Sequence, residues 1–260
     1  IGWISILTHL TGGPSPYSFY PVFYRTTDGG NTWSAPMQVD LGQFNCITSN
    51  ITVGNFASAA FESDLTVDVN GEPHLLTTVC NGNNAYAIFF ASWHHMFDIT
   101  YHFGLWNAID IANVNAGRGT WGTAPNTATM DNQPMVSRTA DGTKIFFAWS
   151  DNTSYALGAA NQTPNLFSKA FNVTTSLWTA VRDFTSCNGA INGLIIFPKL
   201  AAEVIEPSAG TYKLAAIYTQ LTIGDPLLTI NISFLNNMTW ANADFTTPQV
   251  FAAVNINEGS

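Results

Sequence analysis

Two series of residues recur along this chain with the same period. Tryptophans follow one another at intervals of about 70 residues, at Trp33, Trp106, Trp178 and Trp240. Glycine-containing turn signals recur with nearly the same spacing, at Asn70-Gly71, Asp141-Gly142 and Ala209-Gly210. Two independent series with one period are hard to obtain by chance, so they indicate that one structural unit is repeated along the chain.

Each repeat contains signals for two hairpins. In the second repeat an apolar run, Leu65–Val67, precedes Gly71, and Leu75-Leu76 follows it, which is typical of two strands joined by a tight turn. A second turn is predicted just before each tryptophan, so every repeat holds four short strands. Four-stranded antiparallel sheets repeated around an axis are the blades of a β-propeller. The sequence therefore predicts an all-β fold, a β-propeller with about four visible repeats of roughly 70 residues each.

We expect a single domain over residues 1–260, with repeat units at approximately 1–50, 51–125, 126–190 and 191–260. The run Val250–Gly259 resembles Leu65–Gly71, and it could supply the inner strand that the first unit lacks, which would close a ring of four wide blades. We favour the alternative that the chain is part of a larger propeller. Common propeller repeats span about 40–45 residues per blade, and four-bladed rings are the narrow extreme.

One turn in the first repeat carries a distinctive motif. Residues 26–33 read Thr-Thr-Asp-Gly-Gly-Asn-Thr-Trp. A tight turn is predicted at Asp28 and Gly30, because aspartate binds nearby backbone amides and glycine adopts positive φ. Thr26 is expected to hold this turn through its hydroxyl, and Trp33 to bury its indole against the hairpin. The motif resembles the Asp-box, or BNR repeat, of sialidase-like β-propellers. We expect it to be structural rather than catalytic.

A looser copy of this motif occupies residues 233–240 and ends in Trp240. Asn237 stands where the motif has glycine, and asparagine tolerates the left-handed backbone region. A turn is therefore predicted there as well, with Trp240 opening the next strand.

Composition limits the classes of partner. The chain is 13% aromatic and 10% charged, with 8 Lys plus Arg against 17 Asp plus Glu and a net charge of −9. Such a balance argues against binding to nucleic acid or to anionic membrane surfaces. The sequence has no apolar stretch long enough to span a bilayer, so membrane insertion is not expected. Scarce lysine with abundant threonine and asparagine favours an extracellular or cell-surface location.

The predicted B–C and D–A connections, with strands A to D counted outward from the axis, are long and emerge on one face. Long loops carry function more often than tight turns do. We expect a carbohydrate or protein ligand on this long-loop face, with candidate binding residues at Tyr17, Trp121, Tyr155, Arg118 and Arg138.

The three cysteines permit at most one internal disulfide. Cys46 lies in a loop on the long-loop face and Cys80 ends a strand there, so Cys46–Cys80 is the first pairing to test. Three free thiols are the alternative.

Catalysis is not clearly signalled. The resemblance to sialidases implies three arginines that hold a carboxylate, a Tyr–Glu nucleophile pair and an aspartate acid/base. The chain has four arginines in all, and the Phe/Tyr-Arg-Ile-Pro segment of that family is absent. Carboxylate pairs occur at Asp64 with Asp68 and at Glu203 with Glu206, but nothing selects one of them. The adjacent pair His94-His95 would point to opposite faces of a strand, so we expect no metal site and no cofactor.

These observations favour a secreted or cell-surface β-propeller that acts as a non-catalytic module for binding carbohydrate or protein. The alternative is an exo-acting glycoside hydrolase of the sialidase type, or a fragment of one. A third hypothesis is a structural subunit of a larger extracellular assembly.

Overall fold

The computed structural model describes residues 1–8, 18–83, 88–117, 119–123, 126–130, 132–152, 159–161, 163–220 and 231–250. Within these residues, strands form four antiparallel sheets of three to six strands, with two smaller strand pairs beside them. The helical elements of this part of the chain are short, namely 3₁₀ turns at Leu41–Gln43 and Asn242–Asp244 and a helix, α1, at Asn45–Thr48. The prediction of an all-β fold is confirmed. The chain divides into two compact units: unit 1 is Ile1–Asn113 with Val250–Ser260, and unit 2 is Val114–Gln249.

Unit 1 contains two sheets. Sheet 1 has the strand order β1-β2-β3, with β1 at Gly2–Thr8, β2 at Tyr20–Thr26 and β3 at Met37–Gln38. Sheet 2 has the order β4-β5-β6-β7, with β4 at Phe56–Val67, β5 at Pro73–Gly82, β6 at Ile88–His102 and β7 at Leu105–Asn113. Neighbouring strands are antiparallel and consecutive in sequence, which is the arrangement predicted for one blade.

The core of unit 1 lies between the two sheets. Alternate residues of a strand face opposite sides, and one side of β5 and β6 contributes Leu75, Val79 and Ile99 to a cluster that also contains Trp3 and Phe23 of sheet 1. Every residue of β5 is buried, so this strand is covered on both faces. Its sequence is accordingly a nearly continuous apolar and small-polar run rather than an alternation.

Unit 2 contains the other two sheets. Its first strands are β8 at Ala116–Gly117, β9 at Gly119–Thr123, β10 at Asn126–Met130, β11 at Met135–Arg138, β12 at Lys144–Asp151, β13 at Ala159–Ala160, β14 at Asn165–Asn172, β15 at Leu177–Trp178 and β16 at Arg182–Asp183. They are followed by β17 at Ile196–Leu200, β18 at Ile205–Ser208, β19 at Thr211–Gln220, β20 at Asn231–Ala241 and β21 at Thr247–Pro248.

Sheet 3 has the order β11-β12-β14-β15-β21, with β16 also paired to β14. In sheet 4, β19 pairs with β17 and β18 and also with β20. Of the two small pairs, β8 and β13 are parallel and β9 and β10 are antiparallel. Sheets 3 and 4 share a core in which Phe146 and Ala148 pack with Leu214, Met238 and Trp240.

Backbone hydrogen bonds join β11 of sheet 3 to the segment between β17 and β18 of sheet 4. Arg138 N–H donates to the Ala202 carbonyl at 3.2 Å, and Val204 N–H donates to the Arg138 carbonyl at 2.9 Å. These bonds place Arg138 beside Glu203 in an isolated parallel bridge. Arg138 therefore lies on β11, the first strand in the order of sheet 3.

The glycine series marks turns between neighbouring strands. Gly71 lies between β4 and β5, Gly142 between β11 and β12, and Gly210 between β18 and β19. Their φ angles are 78°, 70° and 76°, in the left-handed region that side-chain-bearing residues rarely adopt. The predicted repeat of tight turns is confirmed at all three positions.

The tryptophan series is less uniform. Trp106, Trp178 and Trp240 are buried, but Trp33 is 41% exposed. The prediction that Trp33 buries its indole against the hairpin is therefore wrong. The turn at Asp28 and Gly30 is stabilised by its own hydrogen bonds, and β3 begins only at Met37, so Trp33 lies on an exposed segment before the strand.

The predicted turn at residues 233–240 is also wrong. Strand β20 continues through Asn236 and Asn237, and Trp240 pairs with Tyr212 inside the same strand. The register shifts between the pairs Leu214–Met238 and Ala216–Leu235, so the extra residue of β20 is accommodated as a β-bulge. Asparagine tolerates the left-handed backbone region, but the pairing of β20 with β19 keeps Asn236 and Asn237 in an extended strand.

Candidate functional site

A cleft of about 350 Å³ opens at the long-loop end of unit 1. Its walls come from Ser18, which precedes β2, from the segment 40–55 and from the start of β4. The polar side chains that line it are Ser18, Asp40, Thr48, Thr52 and Asn55, and the larger apolar or aromatic ones are Tyr20, Leu41, Ile51, Val53 and Phe56.

The segment that forms the cleft is held by local hydrogen bonds. Asp40 caps the 3₁₀ turn, because its Oδ1 accepts a hydrogen bond from Gly42 N–H at 2.8 Å. Thr52 N–H donates to Asn81 Oδ1 at 2.8 Å, and Asn55 N–H donates to the Thr52 carbonyl at 2.9 Å. Buried Leu41, Phe44 and Ile47 fix the same segment to the core of unit 1. A site that is already formed before a ligand arrives loses less entropy on binding.

Two polar side chains in this cleft are available for a ligand. Neither the Thr52 hydroxyl nor the Asn55 side-chain amide is hydrogen-bonded to a described residue. Asp40 is the one carboxylate among the described lining residues, and none of them is a lysine or an arginine. The cleft can therefore donate and accept hydrogen bonds around a neutral polar ligand. Its described lining residues offer no positive charge for a carboxylate ligand and one carboxylate, whereas glycoside hydrolysis uses two.

A buried polar network lies at the long-loop end of sheet 3, in unit 2. The Asp151 carboxylate accepts hydrogen bonds from the backbone N–H groups of Asn115, Ala116 and Asn152, at 2.7–3.1 Å. Asn132 donates from Nδ2 to the carbonyls of Ala116 and Ser150, at 3.0 and 3.1 Å. These bonds tie the segment 115–117 to the end of β12.

Burial raises the pKa of the Asp151 carboxyl to about 6, although the N–H groups of Ala116, Asn115 and Asn152 oppose the shift. The nearby Asp183 carboxylate raises it further. Asp151 is 3% exposed and anchors the two chain segments that lead into residues 118 and 153. Its position indicates a structural role at the end of β12.

A charged cluster is buried in sheet 2. His74 Nδ1 lies 2.7 Å from Asp98 Oδ2, and His74 Nε2 lies 3.7 Å from Asp68 Oδ2. The exposed fractions are 3% for His74, 4% for Asp68 and 0% for Asp98. Burial lowers the pKa of the His74 imidazole, but the Asp98 charge and the contacts with Asp68 outweigh it and raise the pKa to about 10. The cluster ties the turn after β4 to strands β5 and β6.

The predicted ligand residues are mostly beyond the described part of the chain. Tyr17, Arg118 and Tyr155 lie outside the described residues, and Trp121 lies in β9 with its side chain outside them. Arg138 is half-buried in β11, beside Glu203. Arg138 is thus the one of these five whose side chain is described, and the described lining of the unit 1 cleft consists of other residues.

Two other arginines have structural contacts. The Arg25 guanidinium lies 5.5 Å from the centroid of the Trp3 ring. The Arg182 guanidinium lies 4.2 Å from the Trp240 ring centroid and donates to Asp244 at 3.1 Å. Such contacts with aromatic faces and carboxylates stabilise a fold without any ligand.

Residues 26–33, whose motif resembles the Asp-box, form the predicted turn. Thr26 Oγ1 donates to Asp28 Oδ1 at 2.8 Å and accepts from Gly30 N–H at 2.9 Å. Asp28 also accepts from Thr32, from its N–H at 3.0 Å and from its hydroxyl at 2.6 Å. The hydrogen bonds from Thr32 and then Thr26 hold the pKa of Asp28 well below its usual range. Both carboxylate oxygens of Asp28 thus accept hydrogen bonds from residues of the same turn, which fits the expected structural role.

The proposed Cys46–Cys80 disulfide is not formed, because both thiols are free. Cys80 Sγ donates to the Ser58 carbonyl on the neighbouring strand, and Cys46 Sγ donates to the Ala108 carbonyl on β7, each at 3.6 Å. The two side chains therefore contact different strands. Burial raises the pKa of the Cys80 thiol, which keeps it protonated.

The remaining candidates have ordinary structural contacts. Asp68 belongs to the buried cluster, and Asp64 accepts from Leu65 N–H at 3.0 Å. His94 is fully buried, whereas His95 pairs with Asp110 at 2.8 Å in a partly exposed position. Among the residues that the structure describes, no group of three or more His, Cys, Asp and Glu side chains could hold a metal ion.

Sequence reasoning missed the residues that line the cleft and the residues of the two buried networks. Asp40-Leu41-Gly42 carried a usable signal, since an aspartate two residues before a glycine is typical of a capped turn. Asp98 carried no signal, because it stands singly in an apolar run and its partner, His74, is 24 residues away.

Within the described residues, no helix is long and apolar enough to cross a membrane. No protein-family model matches the chain, and a search of curated proteins found no match.

Proposed function

We propose that this chain is a carbohydrate-binding module of the Asp-box β-propeller type, and that it works outside the cell or at the cell surface. The observation that carries the proposal is the cleft of unit 1, which is preformed, polar and free of basic side chains among its described lining residues.

The propeller part of the proposal is supported by the repeated sheet pattern. In sheets 2, 3 and 4 an inner strand leads through a glycine with positive φ into the next strand. Within unit 1, sheet 1 packs on sheet 2, and within unit 2, sheet 3 packs on sheet 4. Face-to-face packing of antiparallel sheets that repeat along the chain is the packing of propeller blades.

The carbohydrate part of the proposal rests on chemical fit. A sugar presents several hydroxyls, each of which donates and accepts, together with an apolar ring face. Thr52 and Asn55 supply hydroxyl and amide groups, and the half-buried Phe56 supplies aromatic surface near them. The volume of about 350 Å³ lies in the range of small-ligand pockets.

Binding without hydrolysis is favoured because glycosidases of most families need two carboxyl groups across the scissile bond. Asp40 is the one carboxylate among the described lining residues, and its Oδ1 is already used to cap a turn. The sialidase alternative would need a convergent set of arginines, and Arg25 and Arg182 are engaged with Trp3 and Trp240.

The test is a glycan-binding screen followed by calorimetry on the best ligand. Thr52→Val and Asn55→Ala each remove one neutral hydrogen bond, worth about 0.5–1.5 kcal/mol, so we expect each to weaken binding by roughly two- to tenfold. The double variant Thr52→Val/Asn55→Ala should be weaker than either.

The matched control is Thr175→Val. Thr175 is an exposed threonine in a second, shallower cleft of about 450 Å³ at the turn end of unit 2, which also contains Lys144. This variant should bind as the parent does. Equal losses in all variants, or no bound glycan, would refute the proposal. Turnover of fluorogenic sialosides that is lost in Arg138→Ala would establish the hydrolase alternative instead.

A further inference from the structure

The cleft at the turn end of unit 2 has a lining unlike that of the cleft in unit 1. Its volume is about 450 Å³, and it is lined by the start of β12, the turn between β14 and β15 and the 3₁₀ turn at Asn242–Asp244. Among the described residues that line it, one side chain is basic and none is acidic. The chemistry of this cleft therefore differs in sign from that of the first.

Lys144 and Asn172 are neighbours in this cleft. Lys144 pairs with Asn172 across β12 and β14, and Asn172 pairs with Leu177 across β14 and β15. Directly paired residues lie on the same face of a sheet, with Cβ atoms about 4.5–5.5 Å apart. The ammonium group of Lys144 and the amide of Asn172 can therefore reach the same small group.

The side-chain amide of Asn172 is held in one orientation by its own turn. Its Oδ1 accepts hydrogen bonds from the N–H groups of Thr174 and Thr175, at 3.1 and 3.2 Å. Its Nδ2, which can only donate, has no hydrogen-bond partner among the described residues. The Thr174 hydroxyl likewise has no partner in this part of the chain. Asn172 and Thr174 thus supply two donors to the cleft.

The side-chain amide of Asn242 is oriented in a similar way. Its Oδ1 accepts a hydrogen bond from the Tyr212 hydroxyl at 2.8 Å, and its Nδ2 has no partner within the described residues. Gly210 leaves this Nδ2 uncovered, because a Cβ at that glycine would lie 2.5 Å from it. Both asparagines therefore use their acceptor atoms inside the protein and keep their donor atoms for a ligand.

Lys144 adds a positive charge that is not part of an ion pair among the described residues. Its Nζ lies 3.5 Å from Thr143 Oγ1 and 4.9 Å from the centroid of the Tyr212 ring. Two carboxylates close in sequence to lining residues have other partners. Asp141 Oδ1 accepts hydrogen bonds within its own turn, and Asp244 forms an ion pair with an arginine at 3.1 Å. A cation surrounded by hydrogen-bond donors is suited to an anion.

The kinds of donor indicate the shape of the anion. A planar carboxylate is matched best by the fork of an arginine, and no described lining residue is an arginine. Lysine acts as a point charge, without a preferred plane. The other donors come from separate chain segments, so they suit a group whose acceptor oxygens point in several directions. Sulfate and phosphate groups have that tetrahedral arrangement.

We propose that the cleft of unit 2 binds a sulfate or phosphate group through Lys144, Asn172, Thr174 and Asn242. The chain as a whole carries −9 and repels anions, so binding depends on these local donors rather than on general attraction. The volume of about 450 Å³ exceeds that of a free ion, so we expect the group to be an ester on a small molecule. The carbohydrate site proposed for unit 1 is not needed for this inference.

The experiment is calorimetry of the full chain at low ionic strength. The probes are inorganic sulfate, inorganic phosphate, phenyl sulfate and phenyl phosphate, with acetate as the planar anion. Sulfate and phosphate should bind more tightly than acetate, and the phenyl esters more tightly than the free ions. Equal affinities of ester and free ion would assign the same oxyanion site to the free ion. None of these probes is a sugar, so the result is separate from the glycan screen.

Two variants test the donors. Lys144→Gln removes a charge-assisted hydrogen bond and should weaken sulfate binding at least about tenfold. Asn242→Asp keeps an acceptor for the Tyr212 hydroxyl but replaces the Nδ2 donor by a carboxylate oxygen, so it should also weaken binding at least about tenfold.

Each variant has a matched control. Lys169→Gln removes the same charge from a lysine that lies 5.0 Å from the Trp178 ring centroid. Lys169 is three residues from Asn172 on β14, so it faces the opposite side of sheet 3. Asn192→Asp adds a charge beside Gly193, whose N–H donates to Asn165 at the other end of β14. Both controls should bind sulfate within about twofold of the parent.

A parent that binds neither sulfate nor phosphate would overturn the proposal. So would acetate binding as tight as sulfate binding, or losses in Lys169→Gln equal to those in Lys144→Gln. Circular dichroism verifies that each variant folds. Nuclear magnetic resonance of the parent tests the same point without a substitution, because added sulfate should shift the side-chain amide signals of Asn172 and Asn242. Signals that stay in place at saturating sulfate would contradict the site.

Discussion

Histidine–aspartate contacts of nearly equal length occur at two places in unit 1, in different surroundings. His74 Nδ1 lies 2.7 Å from an Asp98 oxygen, and His95 Nδ1 lies 2.8 Å from an Asp110 oxygen. The first pair is 3% and 0% exposed at the side chains, and the second is 20% and 46% exposed. Water screens the second pair, so distance alone does not determine what each pair contributes to stability.

This contrast gives a prediction at the residue scale. His74→Leu leaves the carboxylates of Asp98 and Asp68 buried without their counter-charge, which should lower the free energy of unfolding by about 3 kcal/mol or more. His95→Leu removes an exposed pair and should cost below about 1 kcal/mol. Urea unfolding at neutral pH measures both values. Equal losses would show that the buried cluster is not charged as described.

The pH dependence follows from the raised pKa of His74. A histidine whose folded-state pKa is above its unfolded value stabilises the fold at low pH and loses that contribution as pH rises. For His74 the stabilisation is complete below about pH 6.5 and declines as pH approaches the folded-state pKa of about 10. The parent should therefore lose stability in mildly alkaline buffer, and His74→Leu should lose less over the same range.

At the scale of elements, short-range turn chemistry was predictable and strand continuity was not. The turns at Gly71, Gly142 and Gly210 were found from sequence because a positive φ nearly requires glycine. At residues 233–240 the local pattern also favoured a turn, but pairing with β19 outweighed it and produced a bulged strand. Local sequence signals predict structure where they constrain the backbone dihedral angles directly. They fail where pairing with a neighbouring strand determines the conformation.

The turn glycines give a prediction at the element scale. Gly142 has φ of 70° between β11 and β12, so Gly142→Ala should destabilise the fold by about 1–2 kcal/mol. Gly189 is the control, because it has no positive φ and a Cβ there would meet nothing within 4 Å. Gly189→Ala should be neutral, or stabilising by about 0.4–1 kcal/mol through the unfolded chain. Thermal unfolding of the two variants would compare them, and a neutral Gly142→Ala would contradict the role of that turn.

For the molecule as a whole, sequence periodicity predicted the all-β class and the order of strands within sheets 2 and 3. It did not predict the candidate site. The cleft is built by residues 40–55, which lie between repeats and have no period, and their positions depend on burial of Leu41, Phe44 and Ile47 in a core formed by distant strands. The buried networks were missed for the same reason, since Asp151 meets its partners Asn115 and Ala116 only after folding.

The free energy of unfolding of unit 2 should depend on pH through the Asp151 carboxyl. Its pKa rises from the ordinary 3.8 to about 6, so the folded state binds a proton more tightly than the unfolded chain does. The stabilisation is complete below about pH 3.8 and is lost as pH rises through about 6, a change of roughly 3 kcal/mol. Asp151→Asn keeps an oxygen for the same N–H donors but cannot ionise, so its stability relative to the parent should increase between pH 4 and 7.

Asp141 shows the opposite behaviour, because hydrogen bonds from Thr139 and Thr143 lower its pKa. The free energy of unfolding of Asp141→Asn should therefore fall further below that of the parent as pH rises from strongly acidic values to about 5. Urea unfolding of the three proteins at several pH values would separate these slopes, and parallel curves for parent and Asp151→Asn would show that this carboxyl is not buried in its network.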